Sequence, residues 1–324
     1  MRIDLLAALA GIFIAIQSRA NGELSSRMGN SLEAALISFG SGLLVILFIS
    51  LFHPGIRLGV LKVATAVREG VIPRWRLVGG ALGGIVIAVQ THIVPLMGVA
   101  IYSVAVISGQ TAMSLIVDRV GLTGGGKKMI SRQRILAASL TVIAVLVSVW
   151  DRIDARHLSF LAIILGILSG GVVGVQRALN GQINEYSNQS FSTSLFNFIT
   201  GTALLLILFS GSIATHHGHL SPFPSGPWWM YLGGITGLIY IAFSATVVQH
   251  VGVLTFTLFS IGGQLVGSLL IDLFLPSEGV HIGAYLITGI LMTYLGVLAN
   301  NDRASGGSRS RRVTNDQRTG KIDG

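Results

Sequence analysis

Apolar residues run down this chain in stretches long enough to cross the roughly 30 Å of a bilayer's hydrocarbon, and polar residues gather in short breaks between them. The stretches predict ten helices at about 3–20, 34–52, 76–93, 96–117, 134–151, 158–178, 191–210, 228–248, 251–271 and 281–299. Two pairs are hardly divided: 76–117 is broken only around His92 and Pro95, and 228–271 only around His250 and Gly252. Each is too long for one spanning helix, so both read as tight hairpins. The first stretch continues into QSRANG without a small-residue cleavage motif, so it reads as a helix and not as a removable leader.

The same pattern occurs twice. QSRANG at Gln17 aligns with QRALNG at Gln176, pairing Asn21 with Asn180, Gly22 with Gly181, Phe39 with Phe198 and Gly42 with Gly201 at an offset of 159. WRLVGGALGG at Trp75 aligns with WMYLGGITGL at Trp229, and GQTAMSLIVD ending at Asp118 with GQLVGSLLID ending at Asp272, at an offset of 154. Residues 1–151 and 152–300 therefore read as two five-helix units, and 301–324 as a disordered basic tail. Five is odd, so the second unit enters the membrane from the opposite side. The expected architecture is an all-α integral membrane protein of ten helices in two inverted repeats.

Composition agrees with this picture. The 324 residues are 51% hydrophobic and 11% charged, too few charges to cover a soluble domain. A net charge of +9 raises the question of nucleic acid, but no basic helix or aromatic-basic platform is present, and no nucleic-acid partner is expected. Position explains the charge instead. If the termini and the even-numbered connections share a face, that face holds Arg57, Lys62, Arg68, Arg74 and Arg76, then Arg119, Lys127, Lys128, Arg132 and Arg134, then Arg177 and the tail; Arg19, Arg27, Arg152 and Arg156 lie opposite. The positive-inside rule then places both termini in the cytoplasm. The absence of cysteine excludes disulfide and thiolate chemistry.

No predicted span carries a mid-membrane Asp, Glu, Lys or Arg. The candidate lining is neutral: Gln110, Gln264, Gln17, Gln176, Asn21, Asn180, Gln90 and Asn197. Buried amides need partners, which a solute site between the halves or a helix-bridging role would supply equally well. Asp118 and Asp272, at matching helix ends, read as interface anchors or gating groups. HHGH at His216, His217 and His219 reads as a solvated turn before a metal site, and GLTGGGKK at 121–128 lacks phosphate-loop spacing. No cofactor, metal or catalytic residue is expected. The Gly79/Gly80/Gly83/Gly84 and Gly233/Gly234/Gly237 sets read as close-packing surfaces.

These motifs, the duplicated Q-x-x-x-N-G, the GG-x-x-G of the third helix and the GQ-x-x-x-SL-x-x-D of the fourth, resemble the DUF606 or YdcZ-like family of bacterial inner-membrane proteins in its fused double-length form, within the drug/metabolite transporter superfamily. Where many relatives have Pro before the Gln, this chain has Ile16 and Val175. The resemblance implies a transport machine of the inner membrane and names no cargo; the inverted repeat with its deep paired amides adds the expectation of a secondary transporter that moves a small organic metabolite or drug-like solute by alternating access, in contact with membrane lipid. A non-transporting membrane scaffold or assembly protein is the competing function. The fused form suits a monomer, with a homodimer left open.

Overall fold

The computed structural model describes residues 3–122, 130–150, 160–215, 220–276 and 282–298, with backbone alone at 3–4 and 242–258. All regular structure in these residues is helical: α1 (Ile3–Met28), α2 (Ser31–Phe52), α3 (Pro54–Arg68), α4 (Gly79–Val120), α5 (Arg132–Ser148), α6 (Phe160–Ser187), α7 (Ser190–Ala214), α8 (Gly233–Phe274) and α9 (Ala284–Leu298), with 3₁₀ turns at Arg74–Val78 and Trp228–Leu232. Among the described residues, five stretches are long and apolar enough to cross a membrane: Leu5–Met28, Ser31–Phe52, Arg74–Val120, Phe160–Ser187 and Ser190–Ala214. The molecule is an all-α membrane protein. The HHGH turn, most of the GLTGGGKK connection and the 301–324 tail lie outside the described residues.

Local chemistry sets the boundaries. Asn30 caps α2 by accepting from the Glu33 amide at 3.1 Å and donates back to its carboxylate at 3.3 Å, a reciprocal arrangement like a capping box. Pro54 opens α3, where its missing N–H costs nothing. Ser131 caps α5 through the Arg134 amide.

The 42 residues of α4 would span about 63 Å if straight. They do not. The start of α4 meets α6 at Gly79, where Leu179 and Asn180 press close, and its end returns to α6, where the Gln182 amide donates to the Leu122 carbonyl. The reversal is at Gly98, with φ 83° and ψ 168°, a backbone conformation that side-chained residues resist. The hairpin expected near His92 and Pro95 therefore turns a few residues later, and Pro95 remains inside the first arm. In α8, also 42 residues, Gly233 abuts Asn21 at one end while Arg19 Nε donates to the Leu275 carbonyl at the other. Both ends meet one turn of α1, so α8 doubles back as well.

The halves pack reciprocally. Phe39 fills the space over Gly201 while Phe198 fills that over Gly42, and the rings meet at 5.3 Å between centroids. A Cβ on Gly109 would overlap the Ile167 carbonyl, and one on Gly263 the Ala8 carbonyl; Gly170 against Val106 and Gly11 against Ser260 repeat the relation. Each contact has its partner at the offsets found in the sequence. Residue i of one half touching j of the other, with their counterparts doing the same, is the mark of a twofold relation. The main apolar core, including Ile101, Val104, Ile107, Ile261 and Leu265, lies where the second arms of α4 and α8 meet.

Helix α3 falls in what the apolar runs left as a connection. It buries Ile56, Gly59, Val63 and Ala66 at helical spacing. Its seat is on the other half: Ser192 Oγ donates to the Ile56 carbonyl at 2.8 Å, and Val63, Ala66 and Ile72 cluster with Ile183 and Phe196.

Candidate functional site

Five of the eight predicted amides form two hydrogen-bonded clusters at different levels of the bundle. In one, Asn21 Nδ2 on α1 donates to Gln90 Oε1 on α4 at 2.7 Å, and Gln90 Nε2 donates to Ser18 Oγ at 2.9 Å. This end also holds the start of α2, since Thr91 Oγ1 donates to the Ser31 carbonyl. In the other, Gln176 Nε2 and Asn180 Nδ2 on α6 both donate to Asn197 Oδ1 on α7 at 3.2 Å, and Asn197 Nδ2 donates to the Thr193 carbonyl at 2.9 Å. That cluster lies on the α3 side of the bundle, with Phe39, in the first half of α2, close to Gln176 at Gly83. Along the first arm of α4, Gly79 beside Asn180 and Gln90 beside Asn21 are eleven residues apart, which separates the two clusters by about 17 Å.

The clusters share one detail. Asn21 Oδ1 and Asn180 Oδ1 are both buried and accept no hydrogen bond among the described residues. Each presses on the first glycine of a hairpin helix from the other cluster's side, Asn21 on Gly233 and Asn180 on Gly79. Gln17 and Gln176 likewise lie against Gly237 and Gly83. The GG-x-x-G sets thus do more than let helices approach: they admit the amide side chains of α1 and α6.

Gln110 and Gln264 sit elsewhere, midway along the second arms of α4 and α8. They follow Gly109 and Gly263, which seat against α6 and α1. Gln264 is buried and Gln110 half-buried. A shallow apolar groove of about 340 Å³, open at the side and bounded by Leu32, Ile85, Val89, His92, Leu165 and Leu208, contains none of the eight amides.

The paired aspartates have parted company. Asp272 is buried, and its carboxylate accepts from the amides of Val99 at 3.0 Å and Ala100 at 2.7 Å, capping the second arm of α4 from across the half boundary. Asp118 instead pairs with Arg134 at 2.8 Å, with both side chains partly exposed.

Among the described residues, charged side chains bridge the halves around Glu23 and Glu33. Glu23 lies between Arg19, at 2.7 Å, and Arg27, at 2.5 Å. Arg19 also stacks over Trp229, Arg27 donates to the Ser225 carbonyl at 3.2 Å, and Glu33 accepts from the Ser221 amide at 3.1 Å. All three reach from the first half to the second. Glu33 and this ladder were not singled out by the sequence as a group; the signal available was the spacing of Arg19, Glu23 and Arg27, four residues apart on one face. Among the described residues no group of three or more His, Asp or Glu is placed to hold a metal ion.

Reciprocal helical halves with buried polar clusters are the architecture of duplicated membrane transport proteins. A family model described as "Putative inner membrane exporter, YdcZ" matches residues 3–147 and again 161–299, and the chain belongs to this YdcZ family of the drug/metabolite transporter superfamily. It is a multi-pass protein of the inner membrane with a general role in transport and not an enzyme. No curated protein matches the chain. A solved structure described as "Crystal structure of protein" is similar over 92% of this chain and 94% of its own, with a TM-score of 0.54 and 13% identity, a likeness of fold alone.

Proposed function

We propose that the protein is a secondary transporter that moves a small, neutral or zwitterionic organic solute by alternating access, using ten spanning helices in two inverted five-helix repeats, 1–151 and 152–300. The observation that carries this reading is the reciprocity of the amide clusters. Asn21 against Gly233 and Asn180 against Gly79 are equivalent closures at different levels of the bundle, so parting one while holding the other would expose the interior alternately to each side. The basic residues around α3 assign that end to the cytoplasm, with both termini. Gln17, Asn21 and Gln90 would meet the solute from the outer side, Gln176, Asn180 and Asn197 from the inner side, and Gln110 and Gln264 between them. Asp272 holds the reversal of α4 in place as the halves rock, and Asp118 ties the end of α4 to α5 through Arg134. The lack of mid-span charge favours a solute recognised by hydrogen bonds over a cation bound to a buried carboxylate.

Because the chain has no native cysteine, introduced pairs are unique. Liposome flux across a metabolite library, with thermal-shift selection of candidates, identifies the solute. A cleavable bismaleimide linking Arg27→Cys to Ser225→Cys, or Gly55→Cys to Gln189→Cys, then clamps one end or the other. Either clamp is expected to stop flux and its cleavage to restore it. Flux that persists with one end clamped, or no saturable flux for any library member, refutes the proposal; the second result favours a scaffold.

A further inference from the structure

The face of α3 turned away from the bundle is built in a way that spanning helices do not require. Ile56, Gly59, Val63 and Ala66 bury one side. On the opposite side Leu58 and Leu61 are 58% and 61% exposed, and the exposed Arg57 and Arg68 flank them on one edge, with Lys62 on the other. Glu69 is the one acid on the helix border, at its cap. An apolar stripe edged by long cations suits the boundary between acyl chains and headgroups, where the stripe enters the hydrocarbon and the cations reach back to the surface.

The chain after α3 extends this surface. It turns at Gly70, where φ is 74°, and the Ile72 amide donates to the Ala66 carbonyl, which lays 70–78 alongside the helix. Val71 and Trp75 are half exposed there, and Arg76 lies over the Trp75 ring at 5.8 Å. The Arg76 side chain is partly exposed, so the guanidinium it lays on Trp75 stays at the edge of this surface. Exposed Leu51 and Phe52 at the end of α2 continue the apolar belt into α3.

We infer that α3 and the Arg74–Val78 turn form a docking surface for anionic phospholipid headgroups, with Arg57, Lys62, Arg68, Arg74 and Arg76 as phosphate contacts and Leu58, Leu61 and Trp75 inserted among the acyl chains. The inference rests on the chain crossing a bilayer and not on the transport reading. It carries a consequence for the bundle, because α3 belongs to the first half yet is seated on Ser192, Ile183 and Phe196 of the second. Lipid held on its outer face therefore stabilises a contact between the halves at that end.

The test uses the full chain with Trp150, Trp228 and Trp229 replaced by Phe, in vesicles of phosphatidylcholine containing a minor fraction of either brominated phosphatidylglycerol or brominated phosphatidylcholine. Trp75 is expected to be quenched several-fold more by the brominated anionic lipid, and the preference should fall as salt is raised. The variant Arg57→Gln/Lys62→Gln/Arg68→Gln is expected to bring the ratio close to one, and Arg57→Lys/Arg68→Lys to retain it; circular dichroism verifies that each remains helical. Equal quenching by both lipids in the parent protein overturns the proposal. So does an undiminished preference in the Gln variant, which would assign the contact to the turn alone.

Discussion

Asp272→Ala should be among the most damaging single substitutions in the protein. The carboxylate is 2% exposed and accepts two amide hydrogen bonds, from Val99 and Ala100, at the start of a helical arm that has no capping side chain of its own after Gly98. Hydrogen bonds to a charged group contribute about 1.5–3 kcal/mol each, and orphaning a buried N–H costs about 1–3 kcal/mol. The favourable alignment of the negative charge with the helix dipole is lost as well. These effects overlap, and a total of roughly 3–5 kcal/mol is expected. Asp272→Asn keeps one acceptor but turns an NH₂ toward the second amide, so about half that loss should follow. Asp118→Ala is the internal control: its ion pair with Arg134 is partly solvated and should contribute only about 1 kcal/mol or less. Unfolding in dodecylmaltoside titrated with dodecyl sulfate measures all three, and hydrogen exchange at Val99 and Ala100 locates the effect. A loss under about 1 kcal/mol for Asp272→Ala, or an equal loss for Asp118→Ala, would refute the cross-half cap.

The same titration tests the glycine seats: Gly109→Ala and Gly263→Ala should each cost roughly 1–3 kcal/mol because backbone carbonyls occupy the Cβ positions. Gly40→Ala and Gly211→Ala, with nothing within 4 Å, should be neutral or stabilising by up to about 1 kcal/mol. A double-mutant cycle of Phe39→Leu and Phe198→Leu should give a coupling of about 0.5–1.5 kcal/mol; strict additivity would mean that the reciprocal ring contact does not form. Arg27→Ala should raise maleimide labelling of Ser225→Cys by several-fold at low salt and by less at high salt, whereas a salt-independent rate would argue against an electrostatic fastening.

The helical class and the family were legible because a bilayer demands long apolar runs, and duplication leaves paired motifs at fixed offsets. Contacts between distant segments were not. Gln17 and Asn21 could be placed on one face from their spacing, but nothing local says that Asn21 meets Gln90 while its counterpart Asn180 meets Asn197. The reason lies in the partner positions: Ser38 stands where the second half has Asn197, and Ser244 where the first half has Gln90. Each half supplies one amide to its asparagine, from a different helix. The apolar runs also hid α3, whose apolar positions recur at spacings of three and four between Arg57, Lys62 and Arg68 and so never make a continuous stretch. Gly98 was visible as a residue, but its identity as the turn depends on both ends of α4 returning to α6.

Among the described residues the two halves repeat one another in packing and differ in the charged contacts between them. Gly233 on Asn21 and Gly79 on Asn180 repeat one geometry at two levels of the bundle. At the first, Arg19, Arg27 and Glu33 also reach the Leu275 carbonyl, the Ser225 carbonyl and the Ser221 amide. Their counterparts at an offset of 159, Ala178, Tyr186 and Ser192, carry no charge. A symmetric pair of closures would leave the two openings equal in energy. Three added hydrogen bonds of charged groups, discounted for their solvent exposure to about 0.5–1 kcal/mol each, are enough to bias that balance by tenfold or more. On the alternating-access cycle proposed above, duplication would supply the two-state element, and the charges that the copies do not share would bias which state is favoured at rest.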